Sequence, residues 1–153
     1  MSYEGALTKQ PRQMLYGLHK NSGDKAQSRD ISCLSKQFYA HIGAKPEMVL
    51  PFYVVSRDYD AAAEAFTLFI GDDGSNRGLE QEVLPAGIYA KLELRPRLGF
   101  LWGHSVGRAK RWFYTQWPPG SGYEAVNLEY ELHTKKSVGK HLAVDLLFAI
   151  RRT

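Results

Sequence analysis

Twice along its 153 residues the chain runs through the same order of patterns: strand, amphipathic helix, strand, strand. Residues 13–20 (QMLYGLHK) read as a strand. Ser28 or Asp30 can cap a helix running to about residue 44, with Ile31, Leu34, Phe38 and Ile42 on one face and Gly43 suited to its end. Residues 48–57 and 64–71 read as strands, and GDDGSNRG at 71–78 as a polar, glycine-rich linker. Residues 79–94 then read as strand, interrupted by Pro85-Ala86-Gly87. Residues 98–117 read as helix, and 124–133 and 141–151 as strands joined by a turn around Lys136, Ser137 and Gly139. In this order Tyr16 corresponds to Tyr89 and Tyr53 to Tyr130, although few other residues match between the halves. The expected class is α+β, a single domain over 1–153. It holds two βαββ repeats, about 8–71 and 79–151, joined by a linker at 72–78. Each unit turns one sheet face to its helix and leaves the other open, so two units can set their open faces toward a shared groove.

Alternation along the strands sorts the side chains. Ile88, Ala90, Leu92 and Leu94 are expected to face the helices, and Tyr89, Lys91 and Glu93 to face away. Leu142, Val144, Leu146, Phe148 and Ile150 form an apolar face, with Ala143, Asp145, Leu147 and Ala149 opposite. Val126, Leu128, Tyr130 and Leu132 share a face, and Asn127, Glu129, Glu131 and His133 share the other. The mixed faces are either solvated or the wall of a cavity. A carboxylate among aromatics is costly without a partner, so in a cavity it would call for a cationic or hydrogen-bonding ligand.

On the second helix Trp102, Val106, Ala109, Phe113 and Trp117 recur at helical spacing as an apolar stripe. Gly99, Gly103 and Gly107 form a second ridge, and each glycine costs a helix interior roughly 0.8–1 kcal/mol relative to alanine. Such a ridge implies close approach of the backbone to the sheet, the other repeat, a second subunit or a ligand. Arg108, Lys110 and Arg111 read as a solvated face. The net charge of +4 is too small, and the basic residues too interspersed with acids, to indicate nucleic acid. The single cysteine, Cys33, reads as a core residue and fits a reducing compartment. With no signal peptide and no apolar run long enough to span a bilayer, a cytoplasmic location without a membrane partner is expected. Asp72-Asp73 lacks the spacing of a calcium loop, and His41, His104 and His133 fall in no metal or triad spacing, so neither a metal nor a cofactor is expected.

The second half resembles the GyrI-like small-molecule-binding family, which includes effector-binding domains of multidrug-responsive transcription activators. The residues carrying the likeness are Leu84-Pro85-Ala86-Gly87-Ile88-Tyr89-Ala90, Trp112-Phe113, Ser121-Gly122-Tyr123, Leu128-Glu129-Tyr130-Glu131-Leu132 and Val144-Asp145-Leu146-Leu147-Phe148-Ala149-Ile150. It implies the duplicated SHS2-type fold: a pseudo-twofold, curved antiparallel sheet with two helices around a central cavity that holds amphipathic, often cationic, ligands. Carried over, the acid maps to Asp145 with Glu129 beside it, and Tyr89 and Trp112 are aromatic candidates. Glu131, Tyr16, Tyr53 and Trp102 complete the expected ligand-binding set. Where the family has Gly-Pro this chain has Arg95-Pro96-Arg97, and Asp145 is shorter than the family's usual glutamate.

The function expected is binding of a small amphipathic molecule by a stand-alone monomer or homodimer. No helix-turn-helix fits in the remaining residues. The alternatives are a small hydrolase in which Glu129 or Asp145 activates water, and an inhibitor that binds a protein partner through the glycine ridge and the basic cluster.

Overall fold

The computed structural model describes residues 5–45, 49–74, 77–95, 102–117, 120–137 and 143–153, the side chains of residues 102–105 excepted. The elements are β1 (Gly5–Gln10), β2 (Gln13–Gly23), α1 (Gln27–Ile42), β3 (Phe52–Asp60), β4 (Ala65–Asp72), β5 (Glu80–Leu84), β6 (Gly87–Leu94), α2 (Trp102–Gln116), β7 (Tyr123–His133) and β8 (Val144–Arg152). The strands form one eight-stranded antiparallel sheet, curled into a half-barrel, in the order β1-β6-β8-β7-β3-β4-β2-β5. The expected α+β class with two helices is what the chain adopts.

β1 was not expected as an element, whereas the break at Pro85-Ala86-Gly87 does separate β5 from β6. β1 leads directly into β2 yet pairs with β6, Gly5 opposite Leu92 through Gln10 opposite Gly87. β5 leads into β6 yet pairs with β2, Gln13 opposite Leu84 through Gly17 opposite Glu80. Each half therefore lends its first strand to the edge of the other half, and β3 and β7 meet at the centre of the sheet.

The sheet buries side chains on both faces. On one face α1 lays Leu34 and Phe38 against Phe52, Val54, Phe66, Leu68 and Ile70. On the same face α2 lays Val106, Ala109 and Phe113 against Leu92, Leu146, Phe148 and Ile150. The faces expected for β6 and β8 are thus observed, and so is the α2 stripe as far as it is described; Trp102 lies outside the described side chains. On the opposite face no described helix lies over the sheet. Its curl brings Leu15, Tyr53, Val55, Phe69, Tyr89, Leu128, Tyr130 and Leu147 into a third core of their own. The face expected to be open is therefore filled, because a strongly twisted sheet closes its inner side on itself.

Four local readings need correction. Ser28 and Asp30 do not cap α1; the N-cap is Ala26, and Asp30 is buried in the first turn, accepting a 2.7 Å hydrogen bond from Ser22 Oγ. Cys33 is exposed. Tyr16 and Tyr89 do not correspond: Tyr16 packs with the α1 core and Tyr89 on the opposite face, the result of a one-residue slip in a period of two. The glycine ridge is not a close contact at Gly107, where an added Cβ would meet nothing within 4 Å; Gly99 lies outside the described residues, as do the surroundings of Gly103. Gly107→Ala is accordingly expected to stabilise the protein by roughly 0.5–1 kcal/mol, read as a rise in the midpoint of urea unfolding with an unchanged slope.

A groove between the two helices at the centre of the sheet

Two bulges break the central strands beside one another. The β3–β4 register shifts between Arg57 and Asp60, and the β7–β8 register between Ala125 and Glu129. Each bulge contains a residue in the left-handed region, Asp58 at φ 58° and Asn127 at φ 56°, a conformation that Asp and Asn adopt more readily than other side-chain-bearing residues. Asn127 also ties the bulges together: its Oδ1 accepts from the Tyr59 amide at 2.8 Å and its Nδ2 donates to the Tyr59 carbonyl at 3.1 Å. Val126, expected on the face of Leu128, is left 42% exposed by this irregularity.

Over the bulges, between α1 and α2, lies a groove of about 520 Å³. Its floor is Ser56, Phe66, Asn127 and Glu129. Its walls are Lys110 and Tyr114 from α2 on one side, and Gln27, Asp24 and Tyr59 on the other. Among the described residues Tyr59 and Tyr114 are two of the four large hydrophobic side chains left exposed, at 41% and 42%.

The charge inside the groove is organised around Glu129, which stands opposite Ser56 in the β3–β7 ladder. Its Oε2 accepts a hydrogen bond from the Tyr114 hydroxyl at 3.1 Å, and its Oε1 lies 3.4 Å from Lys110 Nζ. The side chains of Lys110 and Glu129 are only 16% and 15% exposed. Burial pulls the Lys110 ammonium down, but the charges of Glu129 and Glu131 outweigh it and hold the ammonium above its ordinary value. Burial also pushes Glu131 up, yet its contact with His133 Nε2 at 3.1 Å and the charge of Lys110 hold it below the usual carboxylate range. The Tyr114 phenol is raised by burial first and then by Glu129, so it remains a hydrogen-bond donor.

Of the residues expected to bind ligand, the structure brings Glu129 to the groove floor and Glu131 behind it. It does not bring the others there. Tyr53 and Tyr89 belong to the inner core, where their rings lie 5.9 and 5.7 Å from that of Tyr130 and burial pushes both phenols up to about 12. Tyr89 also donates to the Pro85 carbonyl at 2.7 Å. Asp145 is on that inner face as well, 4% exposed and held by Lys136 Nζ at 2.7 Å and Lys91 Nζ at 3.6 Å. A carboxylate already held by two ammonium groups has little left to offer a ligand cation. Tyr16 packs with the α1 core and Trp112 with the α2 core. Lys110, Tyr114, Tyr59, Asn127 and Phe66 were missed. Lys110 in particular is not the solvated residue expected. It and Tyr114 stand one turn apart on α2, beside the apolar stripe, and that spacing was the available signal.

No family model and no curated protein matches the sequence. Solved structures match its fold over nearly the whole chain. One is SAV2435 bound to tetraphenylphosphonium, at 9% identity and a TM-score of 0.69, covering 99% of this chain and 94% of that one. Another is an integron cassette protein from the mobile metagenome of Vibrio cholerae, at 13% and 0.68, covering 96% and 95%. The C-terminal domain of EcmrR matches at 16% and 0.55 over the full length of both. The chain has the fold of these proteins. Among the described residues no helix is long and apolar enough to cross a membrane, and no group of three or more His, Cys, Asp or Glu could hold a metal ion.

Proposed function

We propose that the chain binds small amphipathic, aromatic molecules in the groove between α1 and α2. The observation that carries this reading is a concavity of about 520 Å³ at the meeting of the two halves, lined by the rings of Tyr59, Tyr114 and Phe66, with the carboxylate of Glu129 on its floor and that of Asp24 at its wall. Ligand sites are typically about 300–1,000 Å³, mostly apolar, with a few convergent polar groups. SAV2435, which has the same fold, binds tetraphenylphosphonium, an aromatic ion. Affinity would come from apolar burial, about 25 cal/mol per Å² removed from water, and from ring contacts with the two tyrosines.

The test is a panel of uncharged, anionic and cationic aromatic amphiphiles followed by tryptophan fluorescence and melting temperature. At least one is expected to bind the wild-type protein in the micromolar range and to lose about tenfold or more in affinity to Tyr114→Ala, the loss of one well-buried ring contact. A panel in which nothing binds, or binding indifferent to Tyr114, rules the groove out as the site.

A further inference from the structure

This inference rests on the groove being the binding site and concerns what kind of molecule it takes. Both oxygens of Glu129 are engaged within the protein, Oε1 by Lys110 and Oε2 by Tyr114. The position a ligand cation would take beside a lone carboxylate is filled by the chain's own ammonium group. Lys110 is not a stray surface side chain: it is as little exposed as its partner and stands on the groove wall. The other charged groups lining the groove, Asp24 and Arg57, have partners of their own within the protein. Asp24 accepts from the Tyr59 hydroxyl at 2.7 Å, Arg57 donates to Glu82 at 3.1 Å, and Glu131 meets His133 behind the floor.

We infer that Lys110 is a built-in counter-ion that fills the cation position beside Glu129 and sets the groove's specificity, for amphipathic molecules without a fixed positive charge and above all those with an acidic group that meets Lys110. A lipophilic cation entering here has two courses. It can displace the ammonium, which then must find water from a nearly buried position, or it can sit beside it and suffer like-charge repulsion. An uncharged or acid-bearing molecule stacks on Tyr59 and Tyr114 with the Lys110–Glu129 pair intact, and an acid gains a charge-assisted hydrogen bond from Lys110.

The decisive comparison uses two ions of nearly equal size and shape, tetraphenylphosphonium and tetraphenylborate, titrated in potassium-free buffer against the wild-type chain, Lys110→Met and Lys110→Arg. The wild type is expected to bind the borate more tightly than the phosphonium. Lys110→Met is expected to move the ratio of the two affinities at least tenfold toward the phosphonium, and Lys110→Arg to keep the wild-type ratio. The matched pair cancels general loosening of the site, which would weaken both ions alike. If Lys110→Met does not fold, the wild-type preference and Glu129→Gln remain, and freeing Lys110 by that substitution should move the ratio further toward the borate. Tighter binding of the phosphonium by the wild type overturns the inference while leaving the groove as the site, and so does a ratio unchanged by Lys110→Met. If neither ion nor any uncharged amphiphile binds, the groove itself is excluded and the inference falls with it.

Discussion

Gly17→Ala is expected to destabilise the protein by about 3 kcal/mol or more, at or beyond the upper end for overpacking in a core. Gly17 lies where β2 passes from β4 to β5 and has a neighbour on each side. It faces Gly71 in the β2–β4 register. A Cβ at residue 17 would collide with the Ile70 carbonyl oxygen and stand 2.7 Å from the Gly71 Cα. Both are backbone atoms, so no side-chain rotation relieves the clash, and the strands must separate at the cost of ladder hydrogen bonds. Gly71 is equally confined: its own Cβ would stand 2.8 Å from the Gly17 Cα and from the Phe69 ring. For a chain of this length the loss corresponds to a fall in melting temperature of roughly 6–12 °C. The sign is diagnostic. In a strand with room for a methyl group, alanine would instead gain roughly 0.5–1 kcal/mol over glycine. A melting curve unchanged or raised by Gly17→Ala would mean that β2 and β4 do not approach as closely as described.

The curl of the sheet, which buries both of its faces, explains which parts of the molecule could be read from the sequence. Alternation placed Leu92, Leu146 and Phe148 against α2 correctly, because those strands carry an unbroken period of two under a helix with a clear stripe. On β7 alternation separated Leu128 and Tyr130 from Glu129 and Glu131, but it left open which of the two faces meets the helices. Leu128 and Tyr130 point into the inner core, and Glu129 and Glu131 lie on the helix side. With both faces of a sheet buried, hydropathy no longer tells which is which. Asp145 came from the resemblance, with Glu129 beside it; alternation can place two acids on given faces but cannot show that Lys91 and Lys136 already hold one of them. The bulges were illegible for a different reason. Asn127 and Asp58 look like ordinary polar positions of a strand, and only their tolerance of positive φ hinted at an irregularity. The exchange of β1 and β5 between the halves leaves no trace in composition, because a six-residue edge strand such as GALTKQ shows too few apolar residues to declare a partner.

Phe113→Ala is expected to cost about 3–5 kcal/mol, the range for truncating a fully buried phenylalanine. Phe113 is 0% exposed and stacks on Phe148 with ring centroids 3.9 Å apart, with Trp117, just past the end of the helix, at 5.1 Å. Phe38 is the corresponding anchor of α1, also 0% exposed, with Phe52 at 5.9 Å and Tyr39 at 5.6 Å. Its truncation is expected to cost a similar amount, and thermal unfolding of the two variants measures both. Their effects on ligand binding should differ. Each substitution loosens one wall of the groove, but α2 delivers Lys110 and Tyr114, whereas α1 itself delivers only Gln27. Tyr114 moreover rests edge-on against Phe148, 5.6 Å between centroids, so the cavity left by Phe113 adjoins the ring that would hold a ligand. At a temperature where both variants remain folded, Phe113→Ala should lose about tenfold in affinity for an aromatic probe and Phe38→Ala less than threefold, factors of roughly 1.4 and 0.65 kcal/mol. Equal losses would mean that the ligand contacts both helices alike, and a larger loss for Phe38→Ala would place the binding surface on α1 instead.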